Sequence, residues 1–228
     1  MSAPMFDARQ VRRAFSRSAA SYDAAAQLQH AVEARLLESL DYLDDPALQR
    51  EAPQRVLDLG CGTGRASIAM QRRWPKAQIV SLDLALPMLQ QARAASKRSL
   101  AQRLTHPFAR VPQQVCADAR ALPLADASVD VLFSNLCLQW VEDLDAVFAG
   151  FRRVLKPDGL LLVSTFGPET LWELRDAFAQ ADDIPHVSPF VDIAGFGDAL
   201  VRAGFHQPVL EREEETTHYP DLPSLMRE

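Results

Sequence analysis

Val56-Leu57-Asp58-Leu59-Gly60-Cys61-Gly62-Thr63-Gly64 decides how this chain folds. An apolar, strand-forming run opens into a turn with glycine at every second position. The pattern predicts a strand over Arg55–Leu59 and then a helix over Arg65–Arg73, stopped by Trp74-Pro75. Glycine allows the turn's dihedrals and lets a ligand approach backbone where a Cβ would collide. The helix that follows offers free amides and a partial positive charge, suited to a carboxylate or a phosphate. A dinucleotide fingerprint, G-x-G-x-x-G, would need glycine at position 65, where this chain has Arg65. Asp83 ends the next predicted strand, Gln78–Asp83, placed to offer two oxygens to paired ribose hydroxyls. A tight turn with no ligand is the plainer alternative, and the acid closing the following strand argues against it.

Outward from the turn, strands and helices alternate. A helical run from about Ala24 to Leu43 precedes it and ends at Asp44-Asp45-Pro46. After it come a helix over Leu86–Lys97, short strands at Gln114–Ala117 and Val129–Ser134, and a helix over Asp143–Leu155. The Lys156-Pro157-Asp158-Gly159 turn leads into Leu160–Thr165, the most apolar strand. Helices over Pro168–Gln180 and Asp192–Ala203 follow, the second with Gly204 at its C-cap, and Val209–Arg212 reads as a last strand. Such alternation predicts an α/β, Rossmann-like fold: a mostly parallel sheet, helices on both faces and ligands at the carboxyl ends of the strands.

Composition narrows the function. The 228 residues carry 24 Lys and Arg against 30 Asp and Glu, a net charge of −6, which disfavours sequence-independent binding to nucleic acid. Cys61, Cys116 and Cys137 lie far apart with no C-x-x-C spacing, and the five histidines show no H-x-x-x-H pair. A disulfide framework and a metal site are therefore not expected. There is no signal-peptide core and no apolar stretch of membrane-spanning length, so the reading is a soluble cytoplasmic protein without a membrane partner. Neither G-x-S-x-G nor H-E-x-x-H occurs.

The G-x-G-x-G turn resembles motif I of class I S-adenosylmethionine methyltransferases. That resemblance implies S-adenosylmethionine as cofactor, held by Asp58, Gly60, Cys61, Gly62 and Gly64 with Asp83 and Leu84. It also implies that Asp118 and Ala119, after the third strand, meet the adenine, although Asp118 on its own reads more readily as a solvated loop acid. It implies too that Asn135, at the end of the fourth strand, lies against the sulfonium and the acceptor; this residue lacks the Pro-Pro-Tyr of relatives that methylate a planar nitrogen.

Further segments resemble one family, the malonyl-[acyl-carrier protein] O-methyltransferases of biotin synthesis. They are Ala14-Phe15-Ser16-Arg17-Ser18-Ala19-Ala20-Ser21-Tyr22-Asp23, Asn135-Leu136-Cys137-Leu138-Gln139-Trp140, Arg153–Gly159, Ser164–Leu171 and Pro185–Phe190. The resemblance implies methyl transfer to the free carboxylate of a malonyl thioester on acyl carrier protein. It implies Tyr22 as the residue that closes over the methionine end and orients the acceptor, with Gln139 and Trp140 lining the acceptor pocket. Tyr22 reads equally as an aromatic anchor, and Trp140 on its own reads more readily as a core residue. It further implies one domain over residues 1–228: a helical cap (1–50), a cofactor-binding core (51–167) and a substrate-side part (168–228). Family members continue beyond Glu228 and add an antiparallel strand beside the fifth, so the chain reads as shortened, with its fifth strand left as an edge. Two alternatives share parts of the pattern: a methyltransferase for free carboxylic acids, and a relative that acts as an arginine hydroxylase or assembly factor.

Arg9, Arg12, Arg13 and Arg17 fall on one helical stripe with Val11 and Phe15 opposite, and Asp7 is the sole acid in residues 1–22. A basic helix beside the acceptor pocket would dock an acidic carrier protein, unless it serves solubility alone. A second basic patch, Arg93, Lys97, Arg98, Arg103 and Arg110, has no acid between Asp83 and Asp118 and is expected to lie further from the pocket.

Overall fold

A computed structural model describes residues 7–44, 51–97, 110–182, 184 and 186–225. Five parallel strands form one sheet: β1 (Arg55–Leu59), β2 (Gln78–Asp83), β3 (Gln113–Cys116), β4 (Val129–Ser134) and β5 (Leu155–Val163). Their order is β3-β2-β1-β4-β5, so the chain reverses its direction of growth at β1. β1 is flanked by β2 and β4, and Val56 to Leu59 are all buried. That explains its unbroken apolar run, since helices cover both sheet faces. Successive side chains part company there. Val56 packs with Leu40, Met70 and Trp74, whereas Leu57 packs with Leu132, Phe148 and Phe151.

The helices are α1 (Ala8–Ser18), α2 (Tyr22–Ala25), α3 (Gln27–Glu38), α4 (Arg65–Arg73), α5 (Leu86–Ala95), α6 (Leu144–Val154), α7 (Trp172–Ala179) and α8 (Ile193–Arg202), with a short α9 (Leu222–Leu225). The single helix expected over 24–43 is divided. Ala26 (φ −86°, ψ 47°) interrupts it, and Ser39–Asp44 tightens to a 3₁₀ turn. That turn is fixed to the core, because Trp74 Nε1 donates to Asp44 Oδ1 at 3.1 Å and Arg73 reaches Asp41 and Asp44. Asp143 and Asp192 cap α6 and α8 by accepting from the N–H of Ala146 (2.9 Å) and of Gly195 (2.7 Å).

Two expectations are corrected. Lys156–Gly159 is not a separate turn but an irregularity inside β5, where the register with β4 jumps from Val129/Leu155 to Val131/Leu160. Val209–Arg212 is not a strand. Val209 is 86% exposed, and Arg212 is drawn sideways into ion pairs with Glu169 and Glu214. Among the described residues β5 pairs with β4 alone and is one of the sheet's two edges, β3 being the other. No described helix is long and apolar enough to cross a membrane.

Candidate active site

The carboxyl ends of β1, β2 and β4 open into a cleft roofed by α1 and α2. Its floor is Leu59, Gly60, Gly62, Leu82 and Asp83, one side is Leu84, Met88 and Ala117–Arg120, and the other is Asn135–Cys137 with Trp140. A wider depression lies at the opposite ends of the strands, between Arg55, Gln78 and Lys156. Two of its cations are already matched, Arg73 by Asp41 and Asp44 and Lys156 by Asp130, and doubly wound sheets bind ligands at the other end.

The glycine turn folds back on β2. Gly60 and Cys61 both donate to the carbonyl of Leu82, at 2.8 and 3.1 Å. Gly60 has φ +69°, and a Cβ there would lie 2.5 Å from Cys137 Sγ, so only glycine lets the β4 loop close over the turn. Asp83 ties the turn to the start of α5. One carboxylate oxygen accepts from Gly62 N–H (2.9 Å) and the other from Ala85 N–H (2.8 Å). Burial lifts its carboxyl above the usual carboxylate range, opposed by those same N–H groups. Each oxygen keeps a lone pair for a ligand hydroxyl.

Asp58, Cys61 and Gly64 do not line the cleft; they build what lies beneath it. Asp58 is buried and accepts from Ser67 Oγ, which lies 2.6 Å from Ser81 Oγ, so β1, α4 and β2 meet in one polar knot. Burial raises the Asp58 carboxyl to about 7. Cys61 faces the packed interior, where burial holds its thiol protonated.

Asp118 and Ala119 line the cleft. Sequence reasoning missed Arg120, which grips Asp118 through Nε (2.9 Å) and Nη2 (2.6 Å) and keeps that carboxyl below its ordinary range. An arginine two residues after an acid was the available signal. Asn135 also lines the cleft, but its side chain is occupied: Nδ2 donates to the carbonyl of Gln29 (3.0 Å) and Oδ1 accepts from Ser164 Oγ (2.7 Å). It ties α3 and the end of β5 to β4.

Tyr22 lies over Gly62, with Cε1 3.8 Å from where a Cβ would stand, and Phe15 packs edge-on against it (6.2 Å between centroids). Burial, reinforced by Asp83, Glu33 and Asp23, raises its hydroxyl to about 12, so it stays a proton donor. The next residue, Asp23, accepts from Thr63 Oγ1 at 2.7 Å and fastens α2 to the turn. Trp140 is not core: it is 37% exposed, lines the cleft, and meets Phe15 edge-on at 5.7 Å. Gln139 does not line the cleft; its Nε2 donates to the carbonyl of Leu136 at 2.7 Å. Arg9, Arg12, Arg13 and Arg17 are exposed on α1, whose Ala8, Val11 and Phe15 form part of the roof. The second patch is nearer than its sequence position implies: α1 packs against α5, which bears the exposed Arg93, and Lys97 follows shortly after its end. Arg98 and Arg103 lie outside the described residues.

These groups fit an adenosyl amino acid. Bare backbone at the turn leaves room for close approach, Asp83 offers a buried carboxylate to a diol, and Leu84 and Met88 with the small Ala117 and Ala119 suit a flat base. Residues 57–163 match the methyltransferase domain family. The fold is shared with the [4+2]-cyclase SpnF, at a TM-score of 0.63 and 18% identity over 90% of this chain and 75% of that one. An S-adenosylmethionine-dependent methyltransferase from Mesorhizobium loti is 25% identical, covering 71% of this chain and 82% of its own, at a TM-score of 0.50. The malonyl-[acyl-carrier protein] O-methyltransferase of Xylella fastidiosa (strain M23) is 60% identical over 98% of this chain and 70% of its own length. With that match covering 98% of its residues, the chain belongs to the malonyl-[acyl-carrier protein] O-methyltransferase family.

Proposed function

We propose that this protein transfers a methyl group from S-adenosylmethionine to the free carboxylate of a malonyl group held as a thioester on acyl carrier protein. The observation that carries the reading is the 60% identity to a relative of that name, spanning the whole cleft. When bound, S-adenosylmethionine supplies an electrophilic methyl group on a sulfonium. The chain's task is then placement and exclusion of water. Asp83 would hold the ribose, Gly60 and Gly62 would lie against the amino-acid end, and Asp118 with Ala119 would meet the adenine. Phe15, Tyr22 and Trp140 form an aromatic roof that keeps the cleft dry.

No general base is required. A malonyl carboxylate, with an ordinary pKa near 4, is already ionised at neutral pH and attacks directly. Accordingly neither the Tyr22 hydroxyl nor the Cys137 thiol, both at the cleft, is set up as a base. Tyr22 stays protonated, and desolvation with Asp83 nearby pushes the Cys137 thiol to about 12, so it does not compete as a nucleophile. Methylation replaces a charged carboxylate by a neutral ester, which an apolar pocket accepts at far lower cost. Mass spectrometry of malonyl-acyl carrier protein after incubation with the protein and S-adenosylmethionine tests the reading. A gain of one methyl, removed by mild ester hydrolysis, is the expected result; methylation of free dicarboxylic acids and not of the carrier-bound group would overturn it.

A further inference from the structure

We infer that the outer face of α1, extended by α5 packed against it, is the docking surface for an acidic protein that delivers the acyl group to the cleft. The inference rests on the reading that the acceptor is carried on a protein, and it assigns the surface that receives the carrier.

α1 has two faces with different partners. Ala8, Val11 and Phe15 point into the cleft roof, and Phe15 packs edge-on against both Tyr22 and Trp140. Arg9, Arg12, Arg13 and Arg17 lie on the rest of the helix, all exposed, and none forms an ion pair among the described residues. Several arginines elsewhere are matched: Arg73 with Asp41 and Asp44, Arg153 with Asp126, Arg202 with Asp145. Neither α1 nor α5 contains an acid, and the exposed Arg93 and Lys97 add to the same pair of packed helices. This cationic face belongs to a chain whose net charge is −6.

The stripe works against the helix that bears it. Arg9–Arg12, Arg9–Arg13 and Arg13–Arg17 are like charges three or four residues apart, each destabilising an isolated helix by about 0.2–0.5 kcal/mol. Arg9 also sits in the first turn, where the helix dipole favours an acid. The Asp7 cap, which accepts from Arg9 N–H, and the favourable place of Arg17 in the last turn oppose this only in part. An acidic surface set against the stripe would relieve all of these repulsions at once. It would also steer encounter towards the cleft mouth.

A membrane is the weaker occupant. Basic amphipathic helices bind lipid by sinking their apolar face, and the apolar face of α1 is already spent on Tyr22, Trp140, Ala19 and Met88. Duplex nucleic acid would meet a basic strip set in an otherwise acidic molecule.

The experiment compares wild-type protein with Arg12→Glu/Arg13→Glu on two acceptors, malonyl-acyl carrier protein and malonyl-pantetheine, at low and moderate salt. Binding of unacylated carrier protein is followed separately by calorimetry. Charge reversal is expected to raise KM for the carrier substrate and Kd for the unacylated carrier by about tenfold or more at low salt, and to flatten their salt dependence. The values of kcat, KM for malonyl-pantetheine and Kd for S-adenosylmethionine should stay within about twofold of wild type. Should the double variant fold poorly, Arg12→Gln/Arg13→Gln gives the same pattern at smaller amplitude. Carrier KM and Kd unchanged at low salt overturn the docking face, as does an equal rise in KM for malonyl-pantetheine. Tighter binding to anionic vesicles or duplex DNA than to the carrier also overturns it. A wild-type protein that binds the unacylated carrier through this face yet methylates neither acceptor sinks the substrate reading and leaves the docking face standing.

Discussion

At the scale of single residues, Tyr22 is the side chain whose two possible jobs the geometry separates. Its ring is held edge-on by Phe15 above Gly62, while its hydroxyl stays protonated and hydrogen-bonds to nothing among the described residues. Ring and hydroxyl therefore do different things. Tyr22→Phe keeps the ring, so cofactor affinity should hold within about twofold while kcat falls roughly tenfold through loss of one hydrogen bond to the acceptor. Tyr22→Ala removes the ring as well and should weaken S-adenosylmethionine binding too. Calorimetry beside steady-state kinetics separates the two variants, and an unaltered kcat in Tyr22→Phe would leave the tyrosine as an anchor only. Of the cleft lining, Asp83, Gly60 and Gly62 were legible in sequence because their spacing is local. Arg120 and the occupied side chain of Asn135 were not, since their meaning depends on what lies across the cleft.

Between elements, the third glycine of the turn sets how closely two helices meet. Gly64 has φ +83°, and a Cβ on it would lie 2.8 Å from Ala92 Cβ on α5. Gly64→Ala therefore adds backbone strain of about 1–2 kcal/mol to an overpacked contact costing about 1–3 kcal/mol. The expected loss of melting temperature is roughly 5–15 °C, read by calorimetry without cofactor. A shift under about 2 °C would mean that α4 and α5 part freely. Element boundaries were legible wherever a strand carried its own pattern: β1, β2, α4 and β4 fall where the sequence places them. Where a tertiary contact decides, reading failed. Ala26 breaks the cap helix as Asp23 is drawn to Thr63, and Val209–Arg212 pairs with no strand among the described residues while Arg212 is held by Glu169.

Across the whole molecule, buried acids set the pH dependence of stability. Burial raises the carboxyls of Asp58, Glu33 and Asp83, with Asp58 going from 3.8 to about 7. Between those two values folded Asp58 keeps a proton that the unfolded chain has released. Its stabilising contribution is thus complete below pH 3.8 and lost as pH rises through 7. Melting temperature should accordingly fall between pH 5.5 and pH 8, and the fall should shrink by several degrees in Asp58→Asn, which can still accept from Ser67. Parallel melting curves for the two proteins across that range would exclude Asp58 as the source.

Sequence by itself determined the sheet, the glycine turn and the acid closing β2. Those features are written in side-chain alternation and in glycines that no other residue replaces, and both act over a few neighbouring positions. Tertiary structure alone decided which of the named residues face the cleft and which support it from below, and it brought the two basic helices together. Both outcomes come from packing between segments far apart in the chain, where a side chain's direction is fixed by its partners and not by its neighbours in sequence.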